Sequence, residues 1–256
     1  TMKTIPQILS AELNQPEAYI QNVITLLDEG NTIPFIARYR KEAHGAMDDT
    51  TLRALETRLQ YLKNLQARRD EVKSSIESQG KLTEELSAAI DEAATLAEVE
   101  DLYRPYKQKR RTRATVAREK GLAPLAETIF AQERGMAAPE VLARDYFDAE
   151  KGVETIEDAL AGANDIIAEQ ISDDADVRKS LRVLMQKRAA ACSKASDPDN
   201  DSVYRLYYEF SQPVAKLQSH QVLALNRGEK EGFLKVSLDM ERDAAIQTLR
   251  RLVVKP

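Results

Sequence analysis

The chain has 256 residues, a net charge of −5, nine glycines, nine prolines, one cysteine and no tryptophan. That length buries a real core as one large or two modest domains. Its wealth of Ala, Leu, Glu, Lys and Arg points to helices and away from a sheet-based fold. The lone Cys192 excludes an internal disulfide framework and suits a reducing compartment. No apolar run approaches the roughly 18–20 residues that cross a bilayer. The start, "TMKTIPQILSAELNQ", has no apolar signal core. A cytoplasmic chain with no membrane partner is therefore expected. Thr1 ahead of Met2, and a tail "RRLVVKP" that stops in mid-pattern, predict a piece of a longer protein.

In chain order, "QPEAYIQNVITLLDEG" reads as a helix with Pro16 near its start and Gly30 just past its end. Its Ile20, Val23, Ile24 and Leu27 share one face. "TIPFIARYRKE" begins another helix at Pro34, with Arg38, Arg40 and Lys41 beyond its apolar part. From about Asp49 to Gln79, the residues Leu52, Leu55, Leu59, Leu62, Leu65, Val72 and Ile76 trace a near-heptad stripe broken by Arg69. Asp48 can cap this helix and Gly80 can end it; at 1.5 Å per residue it spans roughly 45 Å. "KLTEELSAAIDEA" gives a short helix, Thr95 and Glu98 form a capping box for "LAEVEDLYRPY", and Pro105 ends that helix.

Short helices follow in "RATVAREKG", "LAPLAETIFAQE" and "PEVLARDYF", then two amphipathic ones in "TIEDALAGANDIIAEQIS" and "ADVRKSLRVLMQKRAAACSKA". "SDPDNDS" is a polar loop, "SHQVLALNRGEKEG" a helix capped by Ser219, and "MERDAAIQTLRRLVV" a final helix. The predicted class is all-α, with one long central helix of about 30 residues and at most a short β element near 232–238, in "FLKVSLD". Two helical subdomains are expected: 1–120, with the long helix and a basic connector, and 121–256.

Signals of catalysis are weak. His44 and His220 lie far apart with no nucleophile pattern beside them, and read as surface or packing residues. Cys192 reads as an inert thiol on a helix among alanines. No phosphate-cradling glycine loop is present. Asp197, Asp199 and Asp201 alternate as calcium ligands do, but Ser202 and Tyr208 hold the positions that need Gly and Glu. Asp173, Asp174 and Asp176 fit a helix start, where carboxylates meet the positive end of the dipole. No catalytic residue, metal, cofactor or small-molecule substrate is expected.

The functional signal is "YRPYKQKRRTRATVAREKG", Tyr103–Gly121. It holds eight Lys or Arg residues against Glu119, a net +7, which leaves −12 on the rest of the chain. Arg104, Lys107, Lys109, Arg110, Arg111 and Arg113 are candidate phosphate contacts, beside Tyr103 and Tyr106 as stacking surfaces. Arg38, Arg40 and Lys41 form a second candidate patch. The spacing leaves two alternatives open: a solvated cluster, or one that neutralises acidic faces of neighbouring helices. Arg118 and Lys120 sit where they can serve a helix C-terminus.

Three blocks carry a family resemblance: "NTIPFIARYRKEAHGAMDD", "LAEVEDLYRPYKQKRRTRATVAREKGLAPLAE" and "YYEFSQPVAKLQSHQVLALNRGEKEGFLKVSL". In that order, from about Gln15 to Leu238, the chain resembles the N-terminal region of the bacterial transcription accessory protein Tex family. The resemblance implies a helical part, with a helix-turn-helix-like element, of a longer cytoplasmic protein. Such a protein would continue into an RNase H-like domain, helix-hairpin-helix elements and an OB-fold RNA-binding domain. It is similar in architecture to a eukaryotic elongation factor that handles histones. His44 stands where the family pattern leads us to expect a small or polar residue. The implied role is non-enzymatic and nucleic-acid-binding, with RNA or DNA held non-specifically and transcription machinery as a further partner. About four to six phosphate contacts would give a log K against log salt slope near −4 to −5. The alternative is a scaffold that orients downstream nucleic-acid-binding domains without itself binding nucleic acid.

Overall fold

The computed structural model describes residues 3–255; Thr1, Met2 and Pro256, on which part of the expectation of a trimmed chain falls, lie outside the described residues. The architecture is mainly helical with one small sheet, and it divides into two compact units after Tyr106.

The first unit comprises α1 (Ile5–Leu13), α2 (Glu17–Asp28), α3 (Ile33–Tyr39), α4 (Lys41–His44), α5 (Asp49–Ser78), α6 (Glu84–Glu92) and α7 (Leu96–Tyr103). The long helix is α5, and every member of the predicted stripe from Leu52 to Ile76 is buried along it. Asp48 caps it by accepting from the Thr51 amide at 2.7 Å. Gly80, with φ of +67°, follows its last turn. Arg69, the break in the stripe, has a use: its guanidinium donates to the Ala93 carbonyl at 2.9 Å, satisfying the loop between α6 and α7. Thr95 accepts from the Glu98 amide at 3.2 Å, but the Glu98 carboxylate reaches the Ala94 amide at 2.8 Å, one residue before the expected capping box partner.

Ile33 and Ile36 bury one face of α3, which packs on α5. His44, at the end of α4, is a packing residue with 2% exposure. Gly45 follows at φ of +60° beneath Tyr19, where a Cβ would stand 2.5 Å from the ring carbons.

The second unit holds α8 (Arg113–Glu119), α9 (Ala123–Ala131), α10 (Pro139–Leu142), α11 (Ile156–Asp173), α12 (Ala175–Arg188), β1 (Ala190–Ala195), β2 (Glu209–Pro213), α13 (Ser219–Lys230), β3 (Leu234–Asp239) and α14 (Arg242–Val253). Whereas the expected boundary lay at 120/121, α8 is part of this unit. Thr112 caps it, and Ala114 and Ala117 enter a core with Leu122, Leu125, Ala159, Ala163 and Ile166. The α8–α11 approach is close because Gly162 leaves room for the Leu122 and Ala117 side chains.

The sheet has order β2-β1-β3, all antiparallel, with Cys192 opposite Ser211 on one side and Ser237 on the other. β3 fulfils the expected element near 232–238. β1 departs from the reading: "AAACSKA" leaves the helix after Arg188, so Cys192 lies on a central strand. Alanine's helix propensity yields here to pairing on both edges and to burial of Ala191 with Tyr204, Leu225 and Leu234. α13 starts one residue earlier than expected: Ser219 is its first residue and Gln218 its cap.

Candidate nucleic-acid interface

Within the basic run, Arg104 belongs to the first unit, in the short 3-10 turn Arg104–Tyr106, and Lys107 opens the second. Both side chains are exposed. Tyr103 and Tyr106 differ from the expectation of open stacking surfaces, because both are half-buried against the core of the first unit. The Tyr103 hydroxyl lies 2.9 Å from Ser75 Oγ, and the Arg68 guanidinium sits 5.4 Å from its ring.

Three of the remaining cations, Lys109, Arg113 and Arg118, meet an acidic stripe. Asp165, Glu169 and Asp173 are spaced by four along α11 and so share one face. Lys109 pairs with Asp173, and its ammonium is 3.6 Å from Glu169. Arg118 donates to Glu169 at 2.8 Å, and the Thr112 hydroxyl donates to the same carboxylate at 2.9 Å. Arg113 Nε lies 3.5 Å from Asp165, although its side chain is 89% exposed. Burial raises the Glu169 pKa, but the Arg118 and Thr112 hydrogen bonds and the charges of Lys109 and Arg118 outweigh it, so the carboxyl lies below its ordinary range.

Asp173 is thus the last residue of α11 and a partner of the basic run, while Asp174 alone caps α12, accepting from the Val177 amide at 2.8 Å. Arg111 pairs with Glu119 at 2.8 Å in an exposed position, and Lys120 donates to the Gly152 carbonyl at 3.0 Å. Arg118 and Lys120 serve neighbouring segments by these contacts. Arg110 is exposed and pairs with no carboxylate among the described residues.

The second candidate patch has a different character. On α3, Phe35 and Tyr39 sit one turn apart, opposite the buried Ile33 and Ile36, and are 38% and 59% exposed. Their ring centroids are 5.2 Å apart at 48°. Arg38 lies 5.6 Å from the Tyr39 ring and Arg40 6.0 Å from the Phe35 ring. Lys41 is exposed beside them, and Glu42 comes within 4.0 Å of Arg40. Aromatic faces beside guanidinium groups make a platform for unstacked bases, with cations placed for phosphates. The sequence reading did not single out these two aromatics, although their i, i+4 spacing in "FIARY" was a readable signal.

In the acidic loop, the Asp199 amide donates to Asp197 Oδ1 at 3.1 Å and Asp201 pairs with Arg205 at 2.9 Å. Among the described residues, no cluster of three His, Cys, Asp or Glu is arranged for a metal, and no helix is long and apolar enough to cross a membrane.

Residues 3–77 match the Tex-like protein N-terminal domain and residues 135–254 the Tex central region. The α3 patch falls within the first match, and the basic run falls between the two. The chain is 45% identical over 260 residues to the protein YdcI of Bacillus subtilis, covering 100% of this chain and 36% of that protein. It is 41% identical over 241 residues to the transcriptional accessory protein Tex of Neisseria gonorrhoeae, covering 93% and 31%. It is 31% identical over 243 residues to the human S1 RNA-binding domain-containing protein 1, covering 91% and 24%. The chain thus spans about a third of the length of the bacterial relatives it matches.

Proposed function

The chain belongs to the Tex family, and from that premise we propose that it is a non-enzymatic module of a transcription accessory protein that holds single-stranded RNA or DNA without sequence preference. The observation that carries this reading is the exposed Phe35–Tyr39 pair with Arg38, Arg40 and Lys41 around it. Two rings accept stacked bases, and the three cations take backbone phosphates. Phosphate contacts position a strand but read no sequence. Arg110 adds exposed charge, whereas Lys109, Arg111 and Arg113 reach a strand only in competition with Asp173, Glu119 and Asp165. The names of the Neisseria and human relatives, which refer to transcription and RNA binding, support the same assignment.

Fluorescence anisotropy with short labelled oligonucleotides tests it. The chain should bind single-stranded RNA and DNA at low salt, and Phe35→Ala with Tyr39→Ala should weaken binding. Base–aromatic stacking contributes about 1–3 kcal/mol per base, so each substitution should cost roughly 5- to 150-fold. With about three phosphates held by the α3 patch, the log K against log salt slope should be near −2 for single strands. Failure to bind either nucleic acid at low salt would sink the reading.

A second reading is favoured by the pairing of Lys109, Arg113 and Arg118 with α11. In it the connector braces the second unit, and the chain orients other parts of a longer protein or docks on transcription machinery. Unchanged oligonucleotide binding in the Phe35/Tyr39 variant, together with destabilisation on removing Glu169, would favour this one.

A further inference from the structure

We propose that a cleft between α12 and α14, in the second unit, is a separate phosphate site that takes the backbone of a nucleic-acid strand. It rests on the reading above only in naming nucleic acid as the source of the phosphates. Leu184 and Arg188 from the last turns of α12, and Gln247, Thr248, Arg250 and Arg251 from α14, line one cavity of about 520 Å³. No acidic residue is among its lining residues, and none of the three arginines pairs with a carboxylate among the described residues. In a chain of net charge −5, three arginines from two helices line this one cleft with no carboxylate among its lining residues.

Basic residues in a helix's last turn have an ordinary explanation, since they face the negative end of its dipole. That explanation accounts for Arg188 on α12 and for Arg250 and Arg251 on α14 separately. It does not account for their opening into one cavity, because like charges gathered in a small space repel. An occupying anion removes that penalty. Leu184 and the buried Ala244 give the cleft an apolar floor, which strengthens the field of the arginines above it.

The residue types select phosphate. All three cations are arginine, whose planar fork matches phosphate oxygens two at a time. Thr248 holds one of them in place: its hydroxyl donates to the Ala244 carbonyl at 3.0 Å and itself accepts from the Arg251 guanidinium at 3.4 Å. The Gln247 amide supplies a neutral donor beside them. Cations on two helices flank the open cleft, as a passing strand requires.

Titration of a short labelled oligouridylate into the 256-residue chain tests the assignment, with Arg188→Ala/Arg251→Ala, Arg188→Lys/Arg251→Lys and Phe35→Ala/Tyr39→Ala compared with the unaltered protein. At about 50 mM salt the double alanine variant should bind at least about tenfold more weakly, with a salt slope shallower by roughly 1.4. The double lysine variant, which keeps charge but loses the forks, should fall between. Thermal melting of both variants should match the parent, since these side chains are exposed.

Normal binding by the double alanine variant, with loss in the Phe35/Tyr39 variant, would overturn the cleft and leave the α3 reading standing. The opposite pattern would keep the cleft and remove the α3 patch, and no binding by the parent would remove both. Competition by poly-glutamate as strong as by the oligonucleotide would overturn the choice of phosphate. Displacement by millimolar inorganic phosphate, with no effect of the alanines on the oligonucleotide, would overturn the strand.

Discussion

Glu169→Gln offers the sharpest test of how the basic run is held. In the parent, this carboxylate accepts from Arg118 at 2.8 Å and Thr112 at 2.9 Å, with the Lys109 ammonium 3.6 Å away. Its side chain is 16% exposed. A hydrogen bond to a charged group contributes about 1.5–3 kcal/mol. Glutamine keeps an acceptor for one donor but loses the charge. Solvent takes up part of that loss, since Arg118 is 40% exposed, and Lys109 keeps Asp173. The expected cost is about 1–2 kcal/mol, below the 3–5 kcal/mol of a fully buried broken pair. For a unit of 150 residues, roughly 2–4 °C per kcal/mol gives a fall in Tm of about 2–8 °C.

The pH dependence carries its own sign. The folded carboxyl lies below its ordinary value of 4.5, so its stabilising contribution is present above that value and fades as pH falls through the lower folded one. The gap between parent and variant should be constant near neutrality and close as pH drops below about 4.5. Circular dichroism melts across that range would measure it. Equal melting at neutral pH, or a gap that persists unchanged in acid, would refute the bracing role of Glu169.

Two further substitutions probe neighbouring features. Gly162→Ala would add about 1 kcal/mol of stability to an exposed helix, but here the new Cβ enters the space of Leu122 Cδ1 and comes within 3.3 Å of the Ala117 Cβ. A net loss of about 1–3 kcal/mol is expected in urea denaturation, and a gain would show that α8 and α11 are not in close contact. Arg110→Ala/Arg111→Ala should lower Tm by no more than about 4 °C, because an exposed pair such as Arg111–Glu119 contributes about 0–1 kcal/mol. A large drop in Tm would place the exposed part of the run in the frame as well.

What could be read in the sequence was local. The α5 stripe and its Asp48 cap show in spacing alone, because a helix's period and its first unpaired amides are properties of neighbouring residues. β1 could not be read that way: its alanines favour helix, and the pairing that overrides them comes from Phe210 and Val236, far along the chain. The site shows the same division. Phe35 and Tyr39 are visibly one turn apart, yet their exposure depends on Ile33 and Ile36 being the residues that face the core. The acidic stripe is equally visible at spacing four, but its partner Lys109 stands 64 residues before Asp173.

That distant pairing alters how the two basic regions rank as ligand sites. A phosphate approaching Lys109 competes with the buried Asp173 carboxylate already in contact, and taking Lys109 away costs that pair. Part of any phosphate contact there is therefore offset by the broken pair. On α3, Arg38 and Arg40 lie by aromatic rings, and Glu42 approaches Arg40 only at 4.0 Å in an exposed position. A phosphate there displaces mainly water and counterions, and release of counterions itself favours binding. The smaller patch should therefore fill before the larger one. The density of positive charge along the connector measures the acidity of α11 at least as much as affinity for nucleic acid.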